Sequence, residues 1–318
     1  MKRIALLFAL LALSFAAAAQ SGYPNKPIRI VIPFGPGSST DVITRVLANA
    51  VSQSIGQSVV VDPKPGADGA IAALEVAKAA PDGYTLLVAS GSPIAAVPAL
   101  RKDPPYDPLH DFTPITDIGR YTVFLFVNAD VPAKTFQEFI AYAKANPGKL
   151  AYGTGNASGI VAFAQMNSLA GIEMLHVPYK SAPPAVTDLV AGRVQAMWEP
   201  PTATMGALQQ GKLRALATSL KQRSTLLPDV PTIYEAGMPQ FAMSNWMGLD
   251  GPAKMPREIV DKLNAEFTAA MKRPEVIAAM EKQAFVLNPS TPEQFAEFCK
   301  EQIGFYSSLL KAAGIQPQ

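Results

Sequence analysis

Two segments of this chain each pass from a short apolar run through a glycine-rich loop into an amphipathic stretch, and this repetition most limits what the chain can fold into. The first runs Ile28-Arg29-Ile30-Val31-Ile32-Pro33 into Phe34-Gly35-Pro36-Gly37-Ser38-Ser39-Thr40-Asp41. Val42, Ile43, Val46, Leu47, Ala50 and Val51 then recur at helical spacing. The second runs Leu150-Ala151-Tyr152 into Gly153-Thr154-Gly155-Asn156-Ala157-Ser158-Gly159 and again into a helix. In such a unit the first N–H groups of the helix have no intrahelical acceptor and carry the positive end of its dipole, so each loop suits a small anion. Facing each other across a cleft, two of them can hold one carboxylate without an arginine.

Further α/β alternation follows. Strands are expected over 28–33, 58–62 and 84–89, with a helix over 69–80 and a Pro81-Asp82-Gly83 turn. This implies βαβ units and a mainly parallel sheet. Residues 98–114 are rich in proline and aspartate and are expected to form a surface loop, and 121–128 reads as a strand leaving the first sheet. A second set begins with a helix whose capping box is Thr135 and Glu138. It continues with strands at 176–179, 194–198 and 213–219 and a helix over 183–191, and the chain becomes extended again at 241–249, where it is expected to return. Helices are expected over 256–271 and 274–282, then a last one capped by Thr291 with Pro292 at its first position and Gln294 at its third. Its stripe of Phe295, Phe298, Cys299, Ile303, Tyr306, Leu309 and Leu310 is expected to dock on the first domain rather than on a membrane.

At the N-terminus, Lys2 and Arg3 precede an apolar run from Ile4 to Phe15 and then Ala16-Ala17-Ala18-Ala19. This is the pattern of a cleavable export signal over residues 1–19, cut near Ala19, and it places the protein in the periplasm. The single cysteine, Cys299, is not at the cleavage site, so no lipid anchor is expected, and it cannot form an internal disulfide. Removing the signal leaves 25 basic and 25 acidic residues from the 27 and 25 of the whole chain. A neutral balance argues against a nucleic-acid partner.

A third small polar turn, Ser90-Gly91-Ser92-Pro93, falls at the carboxyl end of the third expected strand, the edge where open α/β sheets bind ligands. For catalysis the sequence offers less. His110 and His176 are the only histidines, neither has metal-ligand spacing, and His176 is expected to be a packed core residue. Alanine stands where a Gly-x-Ser-x-Gly elbow needs its nucleophile in 155–159. Gly153-x-Gly155-x-x-x-Gly159, with Glu173 beyond it, retains a reading as a dinucleotide loop in a periplasmic enzyme or cofactor-binding protein. Lys180 offers a point charge to an anion; Asp188, Glu199 and Asp250 are isolated carboxylates, and none marks a site for an amine. Trp198 and Trp246, near the expected crossings, either wall a cleft or fill a core.

Several ordered motifs together resemble the substrate-binding proteins of tripartite tricarboxylate transporters, the Bug receptor family. They are Tyr23-Pro24-x-x-Pro27 continuing through Gly37 with Asp41, Pro81-Asp82-Gly83-Tyr84-Thr85-Leu86-Leu87, and His176-Val177-Pro178-Tyr179-Lys180-Ser181-Ala182-Pro183 with Asp188-Leu189 and Gly192. Leu227-Pro228-Asp229-Val230-Pro231-Thr232 and Glu235-Ala236-Gly237 complete the set. The resemblance implies a two-lobed α/β periplasmic-binding-protein fold of type II, the Venus flytrap, each lobe a mainly parallel sheet flanked by helices. One lobe would comprise 21–120 with 246–318, the other 121–245. It also implies a monomer without a cofactor that closes on a small organic carboxylate and serves the membrane components of a transporter; a sensor for a membrane kinase shares the same chemistry. Loops and resemblance together give an expected site of Phe34, Gly35, Gly37, Ser38, Ser39, Asp41, Ser90, Gly91, Ser92, Thr154, Gly155, Asn156, Ala157, Ser158, Tyr179, Lys180 and Asp188. The chain departs from the common family pattern at Ser38, where a second glycine is usual, and at Gly159-Ile160, where serine and histidine are usual.

Overall fold

Two sheets joined by short crossings build the molecule. The computed structural model describes residues 22–317, so the export signal expected over 1–19 lies outside the described residues. The first sheet starts with β1 (Ile28–Ile32), whose side chains are almost all buried. Helix α1 (Ser39–Ile55) follows; Ser38 caps it by accepting the Asp41 N–H on its hydroxyl at 3.3 Å, and Gly56 ends it in the left-handed conformation. Its buried face of Ile43, Leu47, Ala50 and Val51 is the apolar stripe of the sequence. β2 (Val59–Pro63), α2 (Ala70–Ala77) and β3 (Thr85–Ser90) complete the parallel part, in which β1 pairs with both β2 and β3.

Beyond β3 the chain departs from expectation. Residues 98–114 are not all loop: a π-helical turn (Ser92–Ala96) runs into α3 (Val97–Leu100), because Pro93 and Pro98 stand in first turns, where no intrahelical N–H is lost. Then β4 (Phe112–Tyr121) forms as one ten-residue strand. The sequence hides it behind Pro114, Asp117 and Gly119. Those residues are tolerated because the register slips twice, leaving Ile118 and Ile115 as extra residues, both fully buried.

After two crossing residues the second sheet begins with β5 (Phe124–Asn128), buried throughout. Helix α4 (Phe136–Ala145) has Thr135 as its cap, the Thr135 hydroxyl accepting the Glu138 N–H at 3.2 Å. β6 (Ala151–Thr154), α5 (Ala157–Ala170), β7 (Leu175–Pro178), α6 (Ala182–Val190) and β8 (Ala196–Glu199) follow, then a short α7 (Met205–Gln209) and β9 (Leu213–Thr218). The strand order is β7-β6-β8-β5-β9, parallel across β6, β7 and β8 and antiparallel where β5 meets β8 and β9.

β10 (Trp246–Pro252) returns the chain to the first sheet and inserts antiparallel between β3 and β4. After α8 (Arg257–Met271) and α9 (Pro274–Glu281), β11 (Phe285–Leu287) closes the edge beside β4, giving the order β11-β4-β10-β3-β1-β2. Both sheets are therefore mixed rather than mainly parallel: in the first the returning β10 runs antiparallel to β3 and β4, and in the second the entering β5 runs antiparallel between β8 and β9. The last helix, α10 (Pro292–Ala312), starts with the expected capping box. Phe295, Cys299, Tyr306 and Leu310 bury against Val31, Leu87, Ile94 and Trp246 of the first sheet's lobe, and Ala157 and Val161 of α5 join the same cluster. The apolar stripe is thus covered, and among the described residues no helix is long and apolar enough to cross a membrane.

Candidate functional site

Between the sheets lies a small cavity of about 60 Å³. The β1–α1 loop supplies Phe34, Ser38, Ser39 and Thr40, and the end of β3 supplies Ser90, Gly91 and Ser92. The opposite wall comprises Gly155, Asn156 and Ser158 at the start of α5, Ala182 at the start of α6, and Glu199 and Pro200 at the end of β8. Tyr121, Val123, Asn245 and Trp246 enter from the crossings. Among the described residues no lysine, arginine or histidine lines the cavity.

The two helix starts present donors. Among the described residues the N–H groups of Ser39, Thr40 and Ser158 find no acceptor, whereas their neighbours are capped: Asp41 N–H by the Ser38 hydroxyl, Gly159 N–H by Asn156 Oδ1 at 2.8 Å. Three unpaired N–H groups from two long helices, facing one cavity, create a positive potential without a formal charge.

Contacts across the cleft hold the lobes together. The Ser39 hydroxyl donates to Thr202 Oγ1 at 2.7 Å, and Ser92 Oγ accepts the Ala157 N–H at 2.9 Å. Tyr306 of α10 donates to the Ser244 carbonyl at 2.8 Å and stands 2.9 Å from the Ser158 hydroxyl. Gly35 comes so near the other lobe that an added Cβ would lie 2.8 Å from Ser181 Oγ. The lobes are therefore closed on each other.

The expected site residues divide between wall and scaffold. Phe34, Ser38, Ser39, Ser90, Gly91, Ser92, Gly155, Asn156 and Ser158 line the cavity. Gly37 does not; it turns the loop at φ +79° and donates its N–H to Asp41 Oδ2 at 3.0 Å. Asp41, whose other oxygen accepts from Arg45 at 2.8 Å, is occupied in shaping that loop. Thr154 points away, its hydroxyl 2.6 Å from His176 Nε2, and the Ala157 N–H is taken by Ser92. Tyr179, Lys180 and Asp188 stand outside the wall: Lys180 is exposed, and Tyr179 donates to Asp188 at 2.7 Å, which also accepts from Arg193 at 2.7 Å. His176 is not the core residue expected; it sits exposed on the edge strand β7, stacked on Tyr152. Trp198 fills the core against Phe241, while Trp246 walls the cleft.

Thr40, Tyr121, Val123, Ala182, Glu199, Pro200, Asn245 and Trp246 complete the wall without having been assembled from the sequence. Of these, Trp246 had a position signal near the expected return crossing, and Glu199 had a local one, an acid ending an otherwise apolar strand and followed by two prolines. Burial alone pushes its pKa up to about 8, and its Oε2 has no partner among the described residues. Ser90 Oγ and Trp246 Nε1 are likewise buried and unpartnered. Burial, and to a lesser degree the Glu199 carboxyl beside it, push the Tyr121 hydroxyl above its ordinary value, opposed by the bond it shares with Thr40 at 2.9 Å. Among the described residues no cluster of three or more His, Cys, Asp or Glu side chains is placed to hold a metal.

The sequence profile of tripartite tricarboxylate transporter family receptors matches residues 43–315. The chain belongs to this family. Protein BugT of Bordetella pertussis is 36% identical over 305 residues, which cover 94% of this chain and 93% of BugT. A solved periplasmic transporter is 41% identical, with a TM-score of 0.88 over 92% of this chain and 99% of its own. A protein of R. palustris solved with adipate is 31% identical, with a TM-score of 0.89 over 93% of this chain and 100% of its own. Shared architecture at this level makes the present chain a two-lobed α/β periplasmic binding protein by fold.

Proposed function

We propose that this chain is a non-catalytic periplasmic receptor that closes on a small organic carboxylate and delivers it to the membrane components of a tripartite tricarboxylate transporter. The observation that carries this reading is the set of unpaired N–H groups at Ser39, Thr40 and Ser158 facing one cavity from two lobes. A carboxylate has two oxygens with several lone pairs, so it satisfies donors from both lobes at once. Ser90 and Trp246 offer further donors to the remainder of the ligand. Membership of a receptor family and a relative solved with adipate support carboxylates as the class. Closure is favoured only by contacts made in the closed state, and a ligand bridging both loops supplies them, so capture and the closed shape presented to the transporter are one event.

The test is thermal unfolding of the purified protein against mono-, di- and tricarboxylates, amino acids and dinucleotides. A carboxylate at about a hundred times its Kd stabilises the folded state by about 2.7 kcal/mol and raises Tm. The same acid is recovered chemically unaltered after prolonged incubation. A shift with dinucleotides alone, or turnover of the acid, defeats the proposal.

A further inference from the structure

Among the described residues the wall of the cavity contains one carboxyl group and no cation, and this imbalance names the ligand more closely. Resting on the carboxylate reading above, we infer that the ligand carries a protonated nitrogen as well as its carboxylate, and that Glu199 is the counter-charge for that nitrogen. Glu199 ends β8 in the cavity wall, is 4% exposed, and its Oε2 lacks any partner among the described residues. A buried carboxyl left unpaired is costly, and native interiors keep such groups where something supplies the missing bond. Among the described residues no cation lines the wall, so no charged group of the protein pairs with Glu199 there.

Charge complementarity points the same way. The unpaired N–H groups of Ser39, Thr40 and Ser158 balance one carboxylate, and Glu199 balances one ammonium, so the site is matched to a ligand of zero net charge. A second carboxylate at Glu199 would be repelled unless a proton stayed between the two. In the empty site burial keeps Glu199 largely protonated at neutral pH. An ammonium displaces that proton, giving a hydrogen-bonded ion pair inside the closed lobes. Tyr121 is the one other titratable group in the wall, and its raised hydroxyl stays neutral in this range.

The experiment is calorimetric titration of the purified protein with matched pairs: L-alanine and L-lactate, L-aspartate and L-malate, 4-aminobutyrate and glutarate. Titrations run at pH 7 in two buffers of different ionisation enthalpy, which counts protons exchanged. In at least one pair the nitrogen member binds tenfold or more tightly than its oxygen partner and releases about one proton per site, as expected for a carboxyl poised near 8. In Glu199→Gln that preference falls at least tenfold. Equal or tighter binding of the oxygen member in every pair, or proton uptake, overturns the inference while leaving the carboxylate reading intact. Failure of all six acids to bind overturns the inference, and the carboxylate reading falls with it where no carboxylate of the thermal panel raises Tm. The pairwise preference and the proton count are read on the native protein, so they decide the matter even where the variant folds poorly.

Discussion

Replacing Glu199 with glutamine should make the ligand-free protein more stable at alkaline pH, and by an amount the site itself sets. An unfolded glutamate gives up its proton near 4.5, whereas burial holds the folded group protonated up to about 8. Between those values the folded state binds more protons than the unfolded one, so stability falls as pH rises and the loss is complete once pH passes the folded value. Each pH unit of that window is worth about 1.4 kcal/mol, which gives a loss of about 4 kcal/mol between pH 5 and pH 9. Glutamine has nearly the same shape and no proton to lose. Asp250 is also buried, with its pKa raised well above the carboxylate range, and adds a loss of the same sign to both proteins. The difference between variant and wild type therefore isolates Glu199. Urea unfolding of both proteins at pH 5, 7 and 9 measures it: near equality at pH 5 and an advantage of about 4 kcal/mol for Glu199→Gln at pH 9 are expected. A difference that stays flat with pH, within about 1 kcal/mol, would refute the claim that Glu199 is buried and uncompensated.

Other substitutions test the closing geometry. Gly35→Val places bulk against Ser181 Oγ, which even a Cβ would approach to 2.8 Å, so carboxylate affinity should fall at least tenfold by calorimetry. Tyr306→Phe removes the hydroxyl that joins α10 to Ser244 and Ser158, and leaving a buried acceptor unpaired costs about 1–3 kcal/mol, read as a lower Tm. Gly155→Ala drives a Cβ to 2.4 Å from the Ser181 carbonyl carbon, a backbone collision that should cost about 1–3 kcal/mol in urea unfolding. Asp188→Asn alters only the Tyr179 and Arg193 cluster outside the cavity, so ligand affinity should stay within twofold of wild type.

Local signals carried far in this chain where residues decide their own conformation. The β-branched run at 28–32 is a strand, Thr291 and Gln294 make the reciprocal cap of α10, and Ser38 and Asn156 begin the helices that the glycine loops announce. β4 was illegible because its proline, aspartate and glycine are accommodated by two bulges, and bulges depend on the partner strand β10, more than a hundred residues away. The mixed pairing of both sheets has the same origin, since where the returning β10 and the entering β5 insert is a tertiary choice. For the site, the glycine loops gave two of its sides. Glu199, Tyr121 and Trp246 are far apart in sequence and converge only through the crossings, so their shared cavity carries no local pattern. Conversely, Tyr179, Lys180 and Asp188 lie close in sequence to the Ser181–Ala182 turn that meets the cleft, yet their side chains leave it, because Asp188 takes both the Tyr179 hydroxyl and Arg193.

The proposed grip places one carboxylate between the lobes on the N–H groups of Ser39, Thr40 and Ser158. A crystal structure of the protein with the acid that gives the largest thermal shift tests this most directly. Carboxylate oxygens are expected within hydrogen-bond distance of those N–H groups, directly or through one ordered water, with both lobes closed over the ligand. An acid bound elsewhere on the surface, or one held in the cleft with its carboxylate turned away from both helix starts, would contradict it.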